Sequence, residues 1–206
     1  MKLLPILMLP FLFVCRCKSN PAINSFPCKV YNDSAINMFN EHVHNSNSNV
    51  LQLDTIIFLL NKAIECDSEY FIALGNKLTV LTYMGKYKES INLIDKLLIL
   101  RNNNPQLIIY KGIMYEKMGN KDSAYQTYNI AKLSYEDKIK MFPDSVNLII
   151  GSIVLEDIMD GENKALNDID KYINMYPEKN IFKEYRKSLI GFDRNEFINS
   201  YGIQEK

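Results

Sequence analysis

The 206-residue chain contains only seven prolines and eight glycines, and it has no excess of either charge. So few Pro and Gly residues favour long helices over a structure built from many turns. Lys and Arg together number 24, as do Asp and Glu, so the chain lacks the basic surface that binds a nucleic-acid backbone. A hydrophobic content of 47% indicates a globular domain or one short solenoid rather than a disordered chain.

The sequence also lacks the residue patterns of common active sites and metal sites. Its two histidines, His42 and His44, are spaced so that they do not share a helix face, and we expect both to be exposed or near a turn. No phosphate-binding glycine loop or hydrolase nucleophile motif is present. Ile158 and Met159 interrupt the acidic segment 155–163, which we expect to be a solvated helix end rather than a calcium loop. These absences favour a non-enzymatic protein with no cofactor and no small-molecule substrate.

The first seventeen residues, MKLLPILMLPFLFVCRC, are dominated by an apolar run over residues 3–14. This length is typical of the hydrophobic region of an export signal and is shorter than the roughly 20 residues that span a bilayer. Pro5 and Pro10 also disfavour a membrane helix. We therefore predict an export signal over residues 1–17, followed by a polar tether over residues 18–30.

The sequence Leu-Phe-Val-Cys that ends at Cys15 resembles the lipobox of bacterial lipoproteins. In that family the cysteine thiol receives a diacylglyceryl group, so the resemblance implies lipidation of Cys15 and an anchor on a membrane surface. It also implies a protein exported to the cell envelope, and the lack of an acidic cluster after Cys15 favours the periplasmic side. An ordinary signal peptide cleaved nearby is the alternative.

The other cysteines are Cys17, Cys28 and Cys66, an odd number without a CxxC metal pattern. We expect Cys66 to be a small packing residue near a helix end. A bridge between Cys17 and Cys28 within the tether is left open.

From residue 31 onward, apolar residues recur at helical spacing and no alternating β pattern is found. Asp33 or Ser34 is expected to cap the first helix, and the NSNSN sequence at 45–49 is expected to end it. Three glycines are placed to form turns inside helical pairs and three prolines to lie between pairs: Gly85, Gly119, Gly161, Pro105, Pro143 and Pro177. The sequence therefore predicts an all-α fold of paired helices.

Two similar segments, YMGKYKES from residue 83 and KMGNKDSA from residue 117, lie 34 residues apart. That period is the length of a tetratricopeptide repeat, a helix–turn–helix hairpin. The unit that begins at Pro105 resembles this family best, at Gly112, Tyr115, Gly119, Ala124, Tyr128 and Ala131. The resemblance covers residues 31–177 and implies a right-handed α-solenoid of about four hairpins, with capping helices over residues 178–206. About seven extra residues at 139–145 predict that the second helix of the third hairpin is two turns longer.

Tetratricopeptide proteins bind peptides or helices along the concave face of their first helices, and the resemblance implies the same for this chain. The corresponding positions include Thr79, Thr82, Ile109, Ile113, Glu116, Ile150, Val154 and Asp157. They lack the Lys and Asn residues with which one subfamily clamps a carboxylate. Apolar positions edged by two carboxylates suit an apolar, basic-flanked segment of another protein. The alternative is that the C-terminal helix or a tight curvature buries these residues.

Two further functions fit the same expectations. One is an immunity-type protein that neutralises a secreted toxin, and the other is an assembly accessory of a larger envelope complex. In every case the partner is a protein, the membrane is reached through the N-terminal anchor, and no nucleic acid is bound.

Overall fold

The computed structural model describes residues 25–44 and 50–202, with side chains from residue 27 and from residue 51 in the two segments. These residues form ten helices and no strand. In chain order the helices are α1 (Ser25–His44), α2 (Val50–Cys66), α3 (Phe71–Tyr83), α4 (Tyr87–Leu100), α5 (Pro105–Lys117), α6 (Lys121–Met141), α7 (Val146–Asp160), α8 (Glu162–Met175), α9 (Asn180–Leu189) and α10 (Arg194–Asn199). Helices pack in consecutive pairs, so the predicted all-α class is confirmed.

Several predictions concern residues outside these two described segments. They are the export signal over 1–17, lipidation of Cys15, the start of the tether with Cys17, and the break at 45–49. Within the described helices, no segment is long and apolar enough to cross a bilayer.

The chain divides into two compact units within α3, after Thr79. The first unit contains α1, α2 and most of α3, and the second contains the end of α3 together with α4 to α10.

In the first unit, α1 and α2 are joined by a disulfide between Cys28 and Cys66, whose Cα atoms lie 5.5 Å apart. The prediction that Cys66 is an unpaired packing residue is therefore wrong, and so is the alternative bridge from Cys28 to Cys17. Helix α1 also begins at Ser25, earlier than the predicted start near residue 31. The predicted tether thus ends inside a helix that the disulfide fixes to α2.

The buried face of α1 includes polar residues that hide its helical periodicity. Asn32 is buried beside Cys28 and accepts a hydrogen bond from the side-chain amide of Asn76 at 2.8 Å. His42 is also buried, with Nδ1 at 3.3 Å from Oε1 of Gln52, so the expectation that it is exposed is wrong. His44 is exposed, as predicted, at the end of the helix.

In the second unit, the three glycines and three prolines lie at the helix boundaries where they were predicted. Gly85, Gly119 and Gly161 have φ values of 71°, 76° and 89°, a left-handed conformation that lacks a steric penalty only for glycine. Pro105 opens α5, where the Asn104 side chain accepts from the backbone N–H of Gln106 at 2.9 Å. Pro143 and Pro177 fall between helices. Helix α6 is 21 residues long, as the extra residues at 139–145 predict.

Two glycines let neighbouring helices of the second unit approach closely. A Cβ at Gly112 of α5 would lie 2.6 Å from Cδ1 of Tyr128 on α6. A Cβ at Gly151 of α7 would lie 2.7 Å from Cζ of Tyr135, also on α6. Both rings are buried, so α6 presents large side chains to small residues on either side.

Helix α9 covers the apolar face of the preceding hairpin, as a terminal cap is expected to do. Phe182 is fully buried, and Leu189 lies in the same cluster as four residues of α7 and α8: Ile149, Ile153, Ala165 and Ile169. Helix α9 thus packs as a cap would, and the capping of a solenoid stays a prediction. The remaining helix, α10, packs against α5 instead.

Candidate functional site

The C-terminal segment of the second unit lies on the helix that was predicted to bind a partner. Helix α10 packs against α5, and Phe197 and Ile198 of α10 are buried. On α5, the predicted binding residues Ile109 and Ile113 are only 7% and 1% exposed. Both residues are therefore buried within the chain, in line with the alternative that the C-terminal helix or a tight curvature buries them.

A series of aromatic rings connects this segment to the groove. The ring of Tyr201 lies 5.2 Å from that of Tyr110 on α5 and 5.4 Å from that of Phe197 on α10. Both contacts are edge-to-face, the geometry that aromatic quadrupoles favour. The Tyr110 hydroxyl donates a hydrogen bond to Oγ1 of Thr82 at 3.1 Å. Thr82, a predicted binding residue, is therefore buried with a partner inside the chain. Burial raises the pKa of Tyr110 to about 12, which keeps the hydroxyl protonated.

Polar contacts of Arg194 hold the start of α10. Its Nη2 donates to Oε1 of Glu116 at 2.5 Å, and its Nε donates to the Ile158 carbonyl at 2.7 Å. The same Oε1 accepts from the Tyr128 hydroxyl at 2.8 Å. Asp193 caps the helix by accepting from the backbone N–H of Glu196 at 2.9 Å. Glu116, predicted to contact a partner, thus has two internal partners at its Oε1 atom.

Beside these contacts lies an open cavity of about 510 Å³. The side chains around it are acidic, aromatic and basic, and they include Glu116, Tyr128, Asp157, Glu162, Phe192 and Arg194. These residues come from α5, α6, α7, α8, the segment before α10 and the first residue of α10. The cavity therefore brings together two of the predicted binding residues, Glu116 and Asp157, that are 41 positions apart in the sequence.

Asp157 is unusual among the residues of this cavity because its carboxylate is buried. It is 2% exposed, and its Oδ2 atom is buried and accepts no hydrogen bond. Burial, together with the smaller effect of the nearby Glu162 charge, raises the pKa of Asp157 to about 6. The charge of Asp157 in turn adds to the effect of burial in raising the pKa of Tyr185 on α9. The prediction that residues 155–163 form a solvated helix end is therefore wrong at Asp157.

The other predicted binding residues are not part of this cavity. Thr79 belongs to the first unit, is exposed, and donates to the carbonyl of Gly75 in its own helix at 3.2 Å. Ile150 and Val154 on α7 are half-buried, and Ile150 packs against the cluster that contains Phe182. Arg194 and Phe192 were missed because no local pattern relates them to α5 or α7.

Among the described residues, no group of three or more His, Cys, Asp or Glu side chains is placed to hold a metal ion. No family model matches the chain, and no curated protein matches its sequence. The resemblance to tetratricopeptide repeats therefore stays a prediction, and function is inferred from the cavity itself.

Proposed function

We propose that the chain is a non-enzymatic protein-binding module of tetratricopeptide-like hairpins, which docks a basic segment of a partner protein at the cavity of its second unit. The observation that carries this proposal is Asp157, a carboxylate without an internal partner that lines an open cavity. Buried charges in native proteins are nearly always paired, so an unpaired one at a cavity favours a cationic ligand.

The surroundings of Asp157 suit a protein segment. Tyr125, which is 62% exposed, and Phe192 line the same cavity and offer aromatic surface at its mouth. Aromatic side chains are enriched where proteins bind one another, since they bury a large area with little loss of conformational freedom. The partner would thus dock beside α10 rather than along the whole concave face.

The disulfide supports the proposal that the protein works outside the cytoplasm. Disulfides persist in the periplasm and other oxidising compartments and are rare in reducing ones. The Cys28–Cys66 bridge agrees with an export signal over residues 1–17 and an envelope location. Lipidation of Cys15 is tested by metabolic labelling with a fatty acid, which should label the wild type and not Cys15→Ala.

Photocrosslinking from inside the cavity tests the binding function. A photoreactive phenylalanine analogue placed at Tyr125 should give one specific protein adduct in the native envelope. Phe142 is a matched control position, since it is also aromatic and 58% exposed but lies at the end of α6, away from the residues that line the cavity. A lack of any protein adduct at position 125, or the same adducts at both positions, would contradict the proposal. A toxin in the adduct would indicate an immunity protein, and envelope subunits would indicate an assembly accessory.

A further inference from the structure

We infer that the cavity of the second unit binds a primary ammonium group, which donates a hydrogen bond to the carboxylate of Asp157. The inference deepens the proposed function, and it rests on that function only for whether the ammonium belongs to a lysine side chain of the partner. The chemistry of the site is argued from the residues of this chain.

Comparable carboxylates in the same unit have internal cations. The side chains of Glu116, Asp168 and Glu156 are 13%, 14% and 17% exposed. Glu116 pairs with Arg194, Asp168 with Lys164 and Lys171, and Glu156 with Lys132 at 3.2 Å. Asp157 is more buried than any of them, yet it forms no ion pair. Because desolvation without compensation is costly, Asp157 is the carboxylate whose partner is absent from the chain.

The chain's own cations around the cavity do not fill this role. Arg194 directs its guanidinium to Glu116 and to the Ile158 carbonyl. Lys121 also lines the cavity but forms no ion pair with Asp157. Glu162, at the start of α8, places a second negative charge near the first. The cavity therefore offers one paired and two uncompensated carboxylates to an incoming ligand.

The coordination available at Asp157 selects the kind of cation. A calcium or magnesium ion requires about six or more oxygen ligands, and no such cluster exists among the described side chains. A guanidinium pairs best through both carboxylate oxygens, but Oδ2 of Asp157 is buried, which leaves at most one oxygen for a ligand. An ammonium is compact and needs only one accepting oxygen. Tyr125, Tyr128 and Phe192 also line the cavity, and aromatic rings attract cations through their π faces.

A titration followed by NMR tests the site on the full-length protein. n-Butylammonium should shift the amide resonances around Asp157 and Tyr128 in a saturable way, and n-butanol, its neutral counterpart, should not. Asp157→Asn, which keeps the shape of the side chain, should weaken n-butylammonium at least about tenfold, the loss expected for a charged hydrogen bond. Glu162→Gln, which removes a neighbouring charge only, should weaken it less.

Several outcomes would overturn the inference. They are the absence of saturable shifts with n-butylammonium, equal shifts with n-butanol, and unchanged affinity in Asp157→Asn. Tetramethylammonium separates the hydrogen bond from the aromatic attraction, since it carries the charge without an N–H donor. Tighter binding of tetramethylammonium than of n-butylammonium would therefore also overturn the role given to Asp157.

A second arm identifies the source of the ammonium. Acetylation of lysines in an envelope extract should abolish the adduct from position 125 if a protein lysine enters the cavity. An adduct that survives acetylation, together with n-butylammonium binding, would assign the site to a free amine. The two proposals also fail separately. A crosslinked adduct without n-butylammonium binding would support protein docking and contradict the ammonium site. Binding of n-butylammonium without any adduct would support the ammonium site and contradict protein docking.

Discussion

Arg194 donates a hydrogen bond to Oε1 of Glu116 at 2.5 Å, and the two residues are 78 positions apart in the sequence. This contact joins the start of α10 to the end of α5. It occupies the Glu116 carboxylate at the cavity, whereas Asp157, which lines the same cavity, has a buried Oδ2 without a hydrogen-bond partner. The C-terminal segment thus fills part of the expected groove and forms one wall of the cavity.

Removing the guanidinium should loosen α10 locally. Arg194 is 40% exposed, so after solvent screening we expect Arg194→Ala to cost about 1 kcal/mol. Hydrogen exchange of the α10 amides should then become roughly fivefold faster. Arg186→Ala is the matched control, because Arg186 pairs with Asp170 at 2.6 Å and is 37% exposed, but it belongs to α9. Equal exchange of α10 in both variants would show that Arg194 does not hold this helix.

Adding one methyl group should have opposite effects at two helical glycines. Gly112→Ala pushes a Cβ into the Tyr128 ring and should destabilise the protein by about 1–3 kcal/mol. A Cβ at Gly75 meets no atom within 4 Å, so Gly75→Ala should stabilise the protein by about 0.5–1 kcal/mol through helix propensity. Urea unfolding of the two variants measures both values. A stabilising Gly112→Ala would mean that α5 and α6 are farther apart than the structure shows.

The disulfide should contribute several kcal/mol to the first unit. Its cysteines are 38 residues apart, and the chain-entropy relation for a loop of that size gives about 4 kcal/mol. We expect the Cys28→Ser, Cys66→Ser double variant to unfold at correspondingly lower denaturant. Reduction of the wild type should reproduce this loss, and the same reductant should not affect the double variant. A wild type that is insensitive to reduction would contradict the bridge.

Asp157 should make the folded protein less stable as the pH rises, which is the opposite of the usual effect of a carboxylate. Its pKa in the folded protein, about 6, lies above the ordinary value of 3.8, so the folded state binds the proton more tightly. The stabilisation is complete below pH 3.8 and is lost as the pH rises through about 6. Asp157→Asn should therefore be more stable than the wild type at pH 7.5, by about 2–3 kcal/mol, and lose this advantage near pH 4.

Asp168 provides a control of opposite sign. Burial alone would raise its pKa, but hydrogen bonds from Lys164 and Lys171 outweigh burial and lower it. Asp168→Asn should thus destabilise the protein at neutral pH, with a deficit that shrinks as the pH falls. Urea unfolding from pH 4 to pH 8 measures both variants. Parallel pH profiles for wild type and Asp157→Asn would show that Asp157 is not desolvated.

Features encoded by local sequence could be predicted. Helical periodicity gives the helices from α2 onward, and Gly85, Gly119 and Gly161 mark turns because a positive φ is a property of single residues. The length of α6 follows from counting residues. Helix α1 was placed too late because residues 18–30 were interpreted as a polar tether, and the buried Asn32 and His42 further weaken the apolar pattern of the helix. Their burial depends on partners that only the folded chain supplies.

Features that depend on distant pairs could not be predicted. The pairing of Cys28 with Cys66 requires knowing that α1 lies against α2. The Arg194–Glu116 contact and the packing of α10 on α5 likewise join segments with no shared sequence pattern. Glu116 and Asp157, both named from the repeat register, line one cavity, but the burial of Asp157 follows from the surrounding helices and the C-terminal segment. Some residues of the site could thus be named from the sequence, whereas their burial and contacts depend on the tertiary structure.

Crosslinking from position 125 in the presence and absence of the Asp157 carboxylate is the most direct test of the central claim, which is that this carboxylate receives a partner. Both proteins should be compared in native envelopes at equal amounts and under identical illumination. The account predicts one protein adduct in the wild type and at least about a tenfold loss of it in Asp157→Asn. An adduct of equal yield in the two proteins would contradict the account.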